Sequence, residues 1–238
     1  MFSFQISDTC RISPLYDRKV NTGRPNGPRP AALRANTGAG PSPAPDRAHL
    51  DARQEKTLAR LSTAVLALAG EQPIGEVTVS GLAAAAGVHR STVYEYAASP
   101  AALLQRVLRA ELDELRAAYL VDVAPDDAAA AIRGVTRAVL QHVDEHDAVY
   151  RRGLGAEGSE AGLHAMLSEH FQASIELLLD QHSVSVPADD DLQRRTIERY
   201  LADGIIGAIE VWLGRPRPRD VEALLALLDR LTPSWWPA

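Results

Sequence analysis

Residues 79–96, which read VSGLAAAAGVHRSTVYEY, are the most informative segment of this sequence. Small and apolar residues with helical spacing occupy the first eight positions, and Gly87 then interrupts the helix. Glycine adopts the left-handed backbone conformation without strain, so we expect the chain to turn there. A short second helix with a polar surface follows, with Val88 and Val93 packing into the angle between the two helices. This order of features predicts a helix-turn-helix motif.

The second helix of the motif carries the side chains that are expected to contact DNA. Its hydroxyl, imidazole and guanidinium groups can donate hydrogen bonds to phosphate oxygens and to acceptor atoms on the base edges. Arg90 stands near the start of the helix, where a base contact is expected, although a lone arginine also fits a solvated charge. The residues predicted to contact DNA on this helix are His89, Arg90, Ser91, Thr92, Tyr94 and Tyr96.

Start and stop signals divide most of the chain into helices. Thr78 and Ser99 are typical N-caps, and Pro100 suits the first position of a helix. The predicted helices are 52–68, 79–86, 89–97, 100–121, 127–146, 159–182, 190–213 and 219–231, with an irregular or short helical piece near 149–155. The sequence contains no strand pattern and no internal repeat, so the predicted fold class is all-α.

The motif and its flanks resemble the tetracycline-repressor (TetR) family of transcriptional regulators. The resemblance covers roughly residues 52–108 and appears more weakly at residues 201–213, which are similar to the family's penultimate bundle helix. The matching segments are 53–56 (RQEK), 77–79 (VTV), 82–88 (LAAAAGV), 91–94 (STVY), Tyr96, Ser99 and 102–104 (ALL). Several fixed spacings agree at once, so we consider the match specific.

The resemblance implies a homodimer with two domains in each chain. Residues 47–98 would form the three-helix DNA-binding domain, and residues 99–238 a helical domain for ligand sensing and dimerisation. In the family the third helix enters the major groove, the residue at the position of Thr78 typically meets a phosphate, and Tyr94 contacts the DNA backbone. The resemblance further implies a palindromic operator in double-stranded DNA and release by a small apolar effector. We expect a repressor, with activation left open.

Several positions depart from the family pattern. Ala97 stands where an aromatic residue is common, Pro100 replaces a lysine, and Ser80-Gly81 supply no basic side chain in the first turn of the second helix. Glu95 adds a carboxylate to the predicted DNA-binding helix. Each lost cation lowers non-specific affinity for DNA. The alternative is therefore a ligand- or partner-binding dimer of the same fold with weak or lost DNA binding.

The last two predicted helices are candidates for the dimer interface. The first of them is apolar nearly all round, and Gly204 and Gly207 would allow another helix to approach closely. The alternative is that these apolar faces fill the core of one chain. The residues predicted at the interface are Ile205, Ile209, Trp212, Leu224 and Leu228.

A pocket for the effector is expected between the helices of the C-terminal domain. Polar-tipped or adaptable side chains that would surround it are His142, His146, Tyr150, His164, Met166 and Phe171. His142 and His146 have the four-residue spacing of metal ligands on a helix. Since no third ligand lies near them in the sequence, packing is the favoured interpretation, and neither a metal site nor a cofactor is predicted.

Charge and composition bound the rest of the chain. The net charge of −6 is concentrated after residue 98, whereas residues 46–98 carry five basic and six acidic side chains. Between residues 21 and 45, ten of 25 residues are glycine or proline, so residues 1–46 are predicted to form a disordered arm. An inert tail is the favoured interpretation of this arm, and a basic arm that reaches the minor groove is the alternative.

Enzymes and membrane proteins are not expected from this sequence. It lacks a glycine-rich phosphate loop, a G-x-S-x-G elbow and a carboxylate pair at convincing spacing. Its single cysteine, Cys10, cannot form a disulfide within the chain, which fits a reducing cytosol. No apolar run approaches the ~20 residues that span a bilayer. The sequence therefore predicts a cytoplasmic, non-enzymatic protein without a membrane partner.

Overall fold

The computed structural model describes residues 47–154 and 162–237. It divides into two units, residues 1–57 and residues 58–238. The predicted arm, residues 1–46, lies outside the described residues, and the first unit is therefore described only over residues 47–57.

Helices account for nearly all of the regular structure in the described residues. The α-helices are α1 (Arg47–Glu71), α2 (Val79–Ala86), α3 (Arg90–Tyr96), α4 (Pro100–Leu120), α5 (Ala128–Glu145), α6 (Asp147–Leu154), α7 (Leu163–Asp180), α8 (Asp191–Leu213) and α9 (Val221–Leu231). Short 3₁₀ turns, Ile74–Glu76 and Pro125–Asp127, precede α2 and α5. No strand occurs within these described segments, so the predicted all-α class is confirmed.

Local capping chemistry sets several helix starts. Thr78 Oγ1 accepts a hydrogen bond of 3.0 Å from Gly81 N, and Ser99 Oγ accepts one of 3.1 Å from Ala102 N. Both hydroxyls satisfy backbone N–H groups that have no partner within their helix, so both predicted N-caps are confirmed. Asp190 and Asp220 cap α8 and α9 in the same way.

The largest differences from the predicted helix boundaries occur at three places. α1 begins at Arg47 and continues through Gly70 to Glu71, because a single glycine weakens a helix without ending it. The short piece predicted near 149–155 is the regular helix α6. α7 begins at Leu163, whereas the predicted helix begins at residue 159. Residues 155–161 lie outside the described residues.

The core of residues 58–238 is built around α4. This helix buries Leu103, Leu104, Leu108 and Leu112 and packs against α5 and α7. α7 in turn packs against α8, and α5 packs against α9. α4 follows α3 after only three residues, so the helix that leads out of the motif also contributes to the core of the bundle. Among the described helices, none is both long and apolar enough to cross a membrane.

Candidate DNA-binding motif and ligand cavity

Gly87 makes the turn between α2 and α3. Its backbone lies in the left-handed region, with φ 61° and ψ 41°, as predicted from the sequence. Gly87 N donates to Ala84 O at 3.1 Å and Val88 N donates to Ala83 O at 2.9 Å, which closes the end of α2. Arg60 Nη2 donates to Gly87 O at 2.5 Å. This hydrogen bond joins the turn to the part of α1 that lies within residues 58–71.

Packing between the two helices leaves one face of α3 exposed. Leu82, Ala83 and Ala86 of α2 and Val93 of α3 are buried, and Val88 packs against them in part. The apolar positions of the motif therefore fill the interior. The polar positions of α3 must then face outward, because the helix has only one apolar side.

Most of the residues predicted to contact DNA lie on that outward face. His89, which caps α3, and Arg90, Ser91 and Tyr94 are exposed. Tyr94 is 54% exposed. Thr92 is half-buried.

Two of the predicted contacts have structural roles as well. Thr78 is exposed, and its oxygen already accepts the capping hydrogen bond, which leaves its hydroxyl hydrogen to donate to a phosphate. Tyr96 is half-buried and packs against the core, and its carbonyl accepts a hydrogen bond of 2.8 Å from Arg106 Nη1. The structure thus places Tyr96 at the base of the motif.

The charge on α3 is balanced rather than basic. Arg90 is its only basic residue, and Glu95 is its only acidic residue. Both are exposed. Pro100, where the family commonly has a lysine, is buried at the start of α4.

A known family model covers this part of the chain. Residues 62–107 match the model described as "Bacterial regulatory proteins, tetR family". The matched range contains α2, the Gly87 turn, α3 and the first part of α4. The resemblance to the TetR family is confirmed.

Solved structures support the TetR-type fold over most of the chain. A tetR-family transcriptional regulator from Streptomyces coelicolor is 25% identical, with a TM-score of 0.52, covering 74% of this chain and 78% of its own. Thermus thermophilus FadR, a TetR-family repressor solved with lauroyl-CoA, is 20% identical, with a TM-score of 0.51 and coverages of 73% and 92%. The dihydroxyacetone kinase operon activator DhaS is 19% identical, with a TM-score of 0.52 and coverages of 74% and 93%. No curated protein matches this chain.

A largely apolar cavity lies between α5, α7, α8 and α9. Its apolar lining includes Ile132, Val135, Val139, Phe171, Ile175 and Leu178. At its edge Arg133 forms an ion pair with Asp229. Trp236, close to the end of the chain, also contributes to the wall. On α5 the lining residues Ile132, Val135 and Val139 follow one another at steps of three and four residues, a spacing that is visible in the sequence.

Only one of the six residues predicted around the pocket lines this cavity, namely Phe171. Met166 is buried in the core, and His164 is exposed and lies 3.2 Å from Glu210. His142 and Tyr150 are buried next to each other, with 2.9 Å between His142 Nε2 and Tyr150 Oη. His146 lies beside His142.

His170 is a polar residue of the cavity wall that the sequence analysis missed. Burial, together with the nearby Arg116 guanidinium, lowers the pKa of His170 to about 4. Arg116 Nη1 lies 3.4 Å from His170 Nδ1, and Arg116 Nη2 donates to Asp113 at 2.8 Å. His170 Nδ1 also lies 3.5 Å from Asp113 Oδ1, and with its lowered pKa the ring is neutral near pH 7. The cavity is therefore lined by a neutral imidazole.

The predicted dimer-interface residues lie mainly inside the single chain. Ile209, Trp212, Leu224 and Leu228 are buried, and Ile205 is half-buried in the cavity wall. This is the arrangement kept as the alternative in the sequence analysis, in which these side chains fill the core of one chain.

An exposed stripe of apolar and small residues does run along α8. Tyr200 is 73% exposed and Val211 is 74% exposed. Between them, a Cβ added at Gly204 or Gly207 would meet no atom of the described residues within 4 Å, apart from the neighbouring backbone of its own helix. The steps of four, three and four residues place all four on one side of the helix. On α9 the large exposed apolar residues are Leu227 and Leu231. We call these six residues the α8–α9 stripe.

A carboxylate that is distant in the sequence, that of Glu111, lies beside the histidine pair. Ligand atoms of Glu111, His142 and His146 all lie within 4.8 Å of one another. Burial and the neighbouring His146 lower the pKa of His142 to about 4, so its ring is neutral. Burial raises the pKa of Tyr150, whose phenol stays protonated.

Proposed function

We propose that this protein is a ligand-responsive transcriptional regulator that binds double-stranded DNA through α3. The observation that carries the proposal is the exposed polar face of α3, held by the Gly87 turn inside the segment that matches the TetR-family model. His89, Arg90, Ser91 and Tyr94 present hydrogen-bond donors on one surface. Such donors contact phosphates and base edges when a recognition helix enters the major groove.

The proposed assembly is a homodimer formed through the α8–α9 stripe. Large exposed apolar side chains next to open glycines suit the close packing of two helices, whereas isolated exposed side chains need no partner. A two-fold axis would place one α3 on each of two half-sites about 34 Å apart. The operator is then palindromic.

The proposed effector is a small, largely apolar molecule that binds in the cavity between α5, α7, α8 and α9. Apolar lining with a few polar groups, here His170 and the Arg133–Asp229 pair, is typical of small-molecule sites. Effector binding shifts the protein between states only if the two states bind it with different affinity. We propose that the effector favours an arrangement of α4 that moves the two α3 helices of the dimer apart. The dimer then releases the DNA, and repression is relieved.

A second candidate function rests on the charge of α3. Glu95 is exposed on the reading face, and Pro100 leaves no cation at the start of α4. These features favour a ligand- or partner-binding dimer that has lost DNA binding. The measurement that separates the two candidates is direct DNA binding.

The test compares the wild-type protein with variants of α3 on labelled DNA from its own upstream region and on a random-sequence pool. Arg90→Ala is expected to weaken binding about tenfold or more, because a base contact by arginine contributes about 1–3 kcal/mol. Arg215→Ala, which removes one exposed positive charge far along the chain from α3, is the matched control and should bind nearly as the wild type does.

Salt dependence provides the second readout of the same experiment. Raising the salt concentration should weaken binding steeply, because phosphate contacts release counterions. No binding at low salt to either DNA, or equal loss in Arg90→Ala and Arg215→Ala, would contradict the regulator and support the dimer without DNA binding.

A further inference from the structure

Three side chains with metal-binding chemistry meet at one point inside the helical domain. Glu111 lies in the middle of α4, His142 lies in the last turn of α5, and His146 directly follows α5. Glu111 Oε2 lies 3.2 Å from His146 Nε2 and 3.6 Å from His142 Nδ1. Ligand atoms bound to one tetrahedral zinc ion at about 2.1 Å lie roughly 3.4 Å apart. These two distances have this magnitude, and all three ligand atoms lie within 4.8 Å of one another.

The carboxylate of Glu111 lacks the partner that a buried oxygen requires. Its Oε2 is buried and accepts no hydrogen bond in the described part of the chain. A buried polar atom without a partner costs free energy, so such atoms are rare and call for an explanation. The two imidazole nitrogens lie within reach of this oxygen, yet neither ring N–H points at it with hydrogen-bond geometry. A cation bound between the three atoms would satisfy the oxygen.

The surroundings orient His142 for this role. Tyr150 Oη lies 2.9 Å from His142 Nε2, on the side of the ring away from Glu111. A proton on Nε2 that is donated to Tyr150 leaves the Nδ1 lone pair directed toward Glu111. Metal-bound histidines commonly have their second nitrogen held in this way. Glu111 and His146 are partly exposed, which gives an ion a route of entry.

We propose that Glu111, His142 and His146 bind a divalent transition-metal ion of the zinc type. Two imidazoles and one carboxylate suit Zn²⁺, Co²⁺ or Ni²⁺ better than Mg²⁺ or Ca²⁺, which prefer oxygen ligands. Three protein ligands leave at least one position of the ion open to water or to a bound molecule. Because α4 leads directly from α3, the ion would fix the position of α4 relative to the end of α5. This last consequence, unlike metal binding itself, rests on the proposed function.

The test is metal binding by the full chain, free of affinity tags and treated with a chelator, in the absence of DNA. Titration calorimetry with Zn²⁺ and the visible absorption of bound Co²⁺ are expected to show one ion per chain, and Mg²⁺ to show none. Saturating Zn²⁺ should also raise the Tm of the wild type, because an ion that binds only the folded state stabilises it.

Two substitutions at the partly exposed ligands test the assignment of the site. Glu111→Gln and His146→Gln should each weaken Zn²⁺ binding about tenfold or more and abolish the rise in Tm. His182→Asn removes an exposed histidine outside the cluster and should bind as the wild type does. Circular dichroism checks that each variant is folded.

The proposal is overturned if the wild type binds neither Zn²⁺ nor Co²⁺ at micromolar concentration. It is equally overturned if both ligand variants retain wild-type affinity, since the ion would then bind elsewhere. Because no DNA is present, neither result depends on whether the protein recognises an operator.

Discussion

His170 is the residue whose protonation should affect stability most directly in the cavity wall. Its pKa is lowered to about 4 in the folded protein by burial and by Arg116, although Asp113 opposes this change, whereas an exposed histidine has a pKa near 6.5. The unfolded chain therefore takes up a proton as the pH falls below about 6.5, and the folded chain does not until about pH 4. The contribution of His170 to stability is complete above pH 6.5 and is lost as the pH falls through this window.

We predict that His170→Gln makes the free energy of unfolding less dependent on pH between about 6.5 and 4. The slope should fall by about 1 kcal/mol per pH unit, because a glutamine does not titrate. Urea unfolding at several pH values measures this slope, which is independent of any uniform loss of stability from the substitution. His182→Asn, at an exposed histidine, is the control and should retain the wild-type slope. An unchanged slope in His170→Gln would contradict the neutral buried ring.

Residues that act through their immediate neighbours in the sequence were predictable, and residues that act through distant partners were not. The caps at Thr78 and Ser99 depend only on the next three residues, so sequence pattern was sufficient to predict them. Glu111 lies 31 residues before His142 in the chain. Their meeting depends on how α4 packs against α5, which periodicity does not specify. The proximity of Glu111 to the two histidines was not predicted for this reason.

At the scale of elements, the turn between α2 and α3 depends on the absence of a side chain at Gly87. A Cβ there would meet the Arg60 guanidinium, and its φ of 61° is one that residues with side chains rarely adopt. We predict that Gly87→Ala destabilises the protein by about 1–3 kcal/mol in chemical denaturation. The loss should be accompanied by weaker DNA binding, since the turn positions α3.

Gly70→Ala provides the matched control for that substitution. Gly70 lies within α1, where an added Cβ would make only an ordinary contact of 3.9 Å with Ala148. Alanine is favoured over glycine inside a helix by up to about 1 kcal/mol, so this variant should be as stable as the wild type or more stable. Equal destabilisation by both substitutions would show that the left-handed conformation at Gly87 is not the cause.

The orientation of α8 could not be read from its sequence, although its existence and length could. The helix is apolar nearly all round, so the hydrophobic pattern leaves more than one face available for burial. Packing against α7 selects the face with Ile206, Ile209 and Trp212 for the core. The opposite stripe, with Tyr200 and Val211, is left exposed.

At the scale of the whole molecule, the exposed stripe provides the test of the proposed dimer. We predict that Val211→Glu converts the protein to monomers, because the dimer would bury an unpaired carboxylate at the point where two α8 helices meet. Sedimentation velocity at several protein concentrations measures the change. Since Val211 is 74% exposed in the single chain, the substitution should leave the fold of each monomer intact.

Val121→Glu is the control, because Val121 is also a largely exposed valine, 54%, but follows α4 and lies outside the stripe. It should sediment as the wild type does. If Val211→Glu remains dimeric, the interface lies elsewhere on the chain. A monomeric variant should also bind DNA more weakly than the dimer, because the two half-sites would no longer be read by one linked pair of α3 helices and the gain from simultaneous binding is lost.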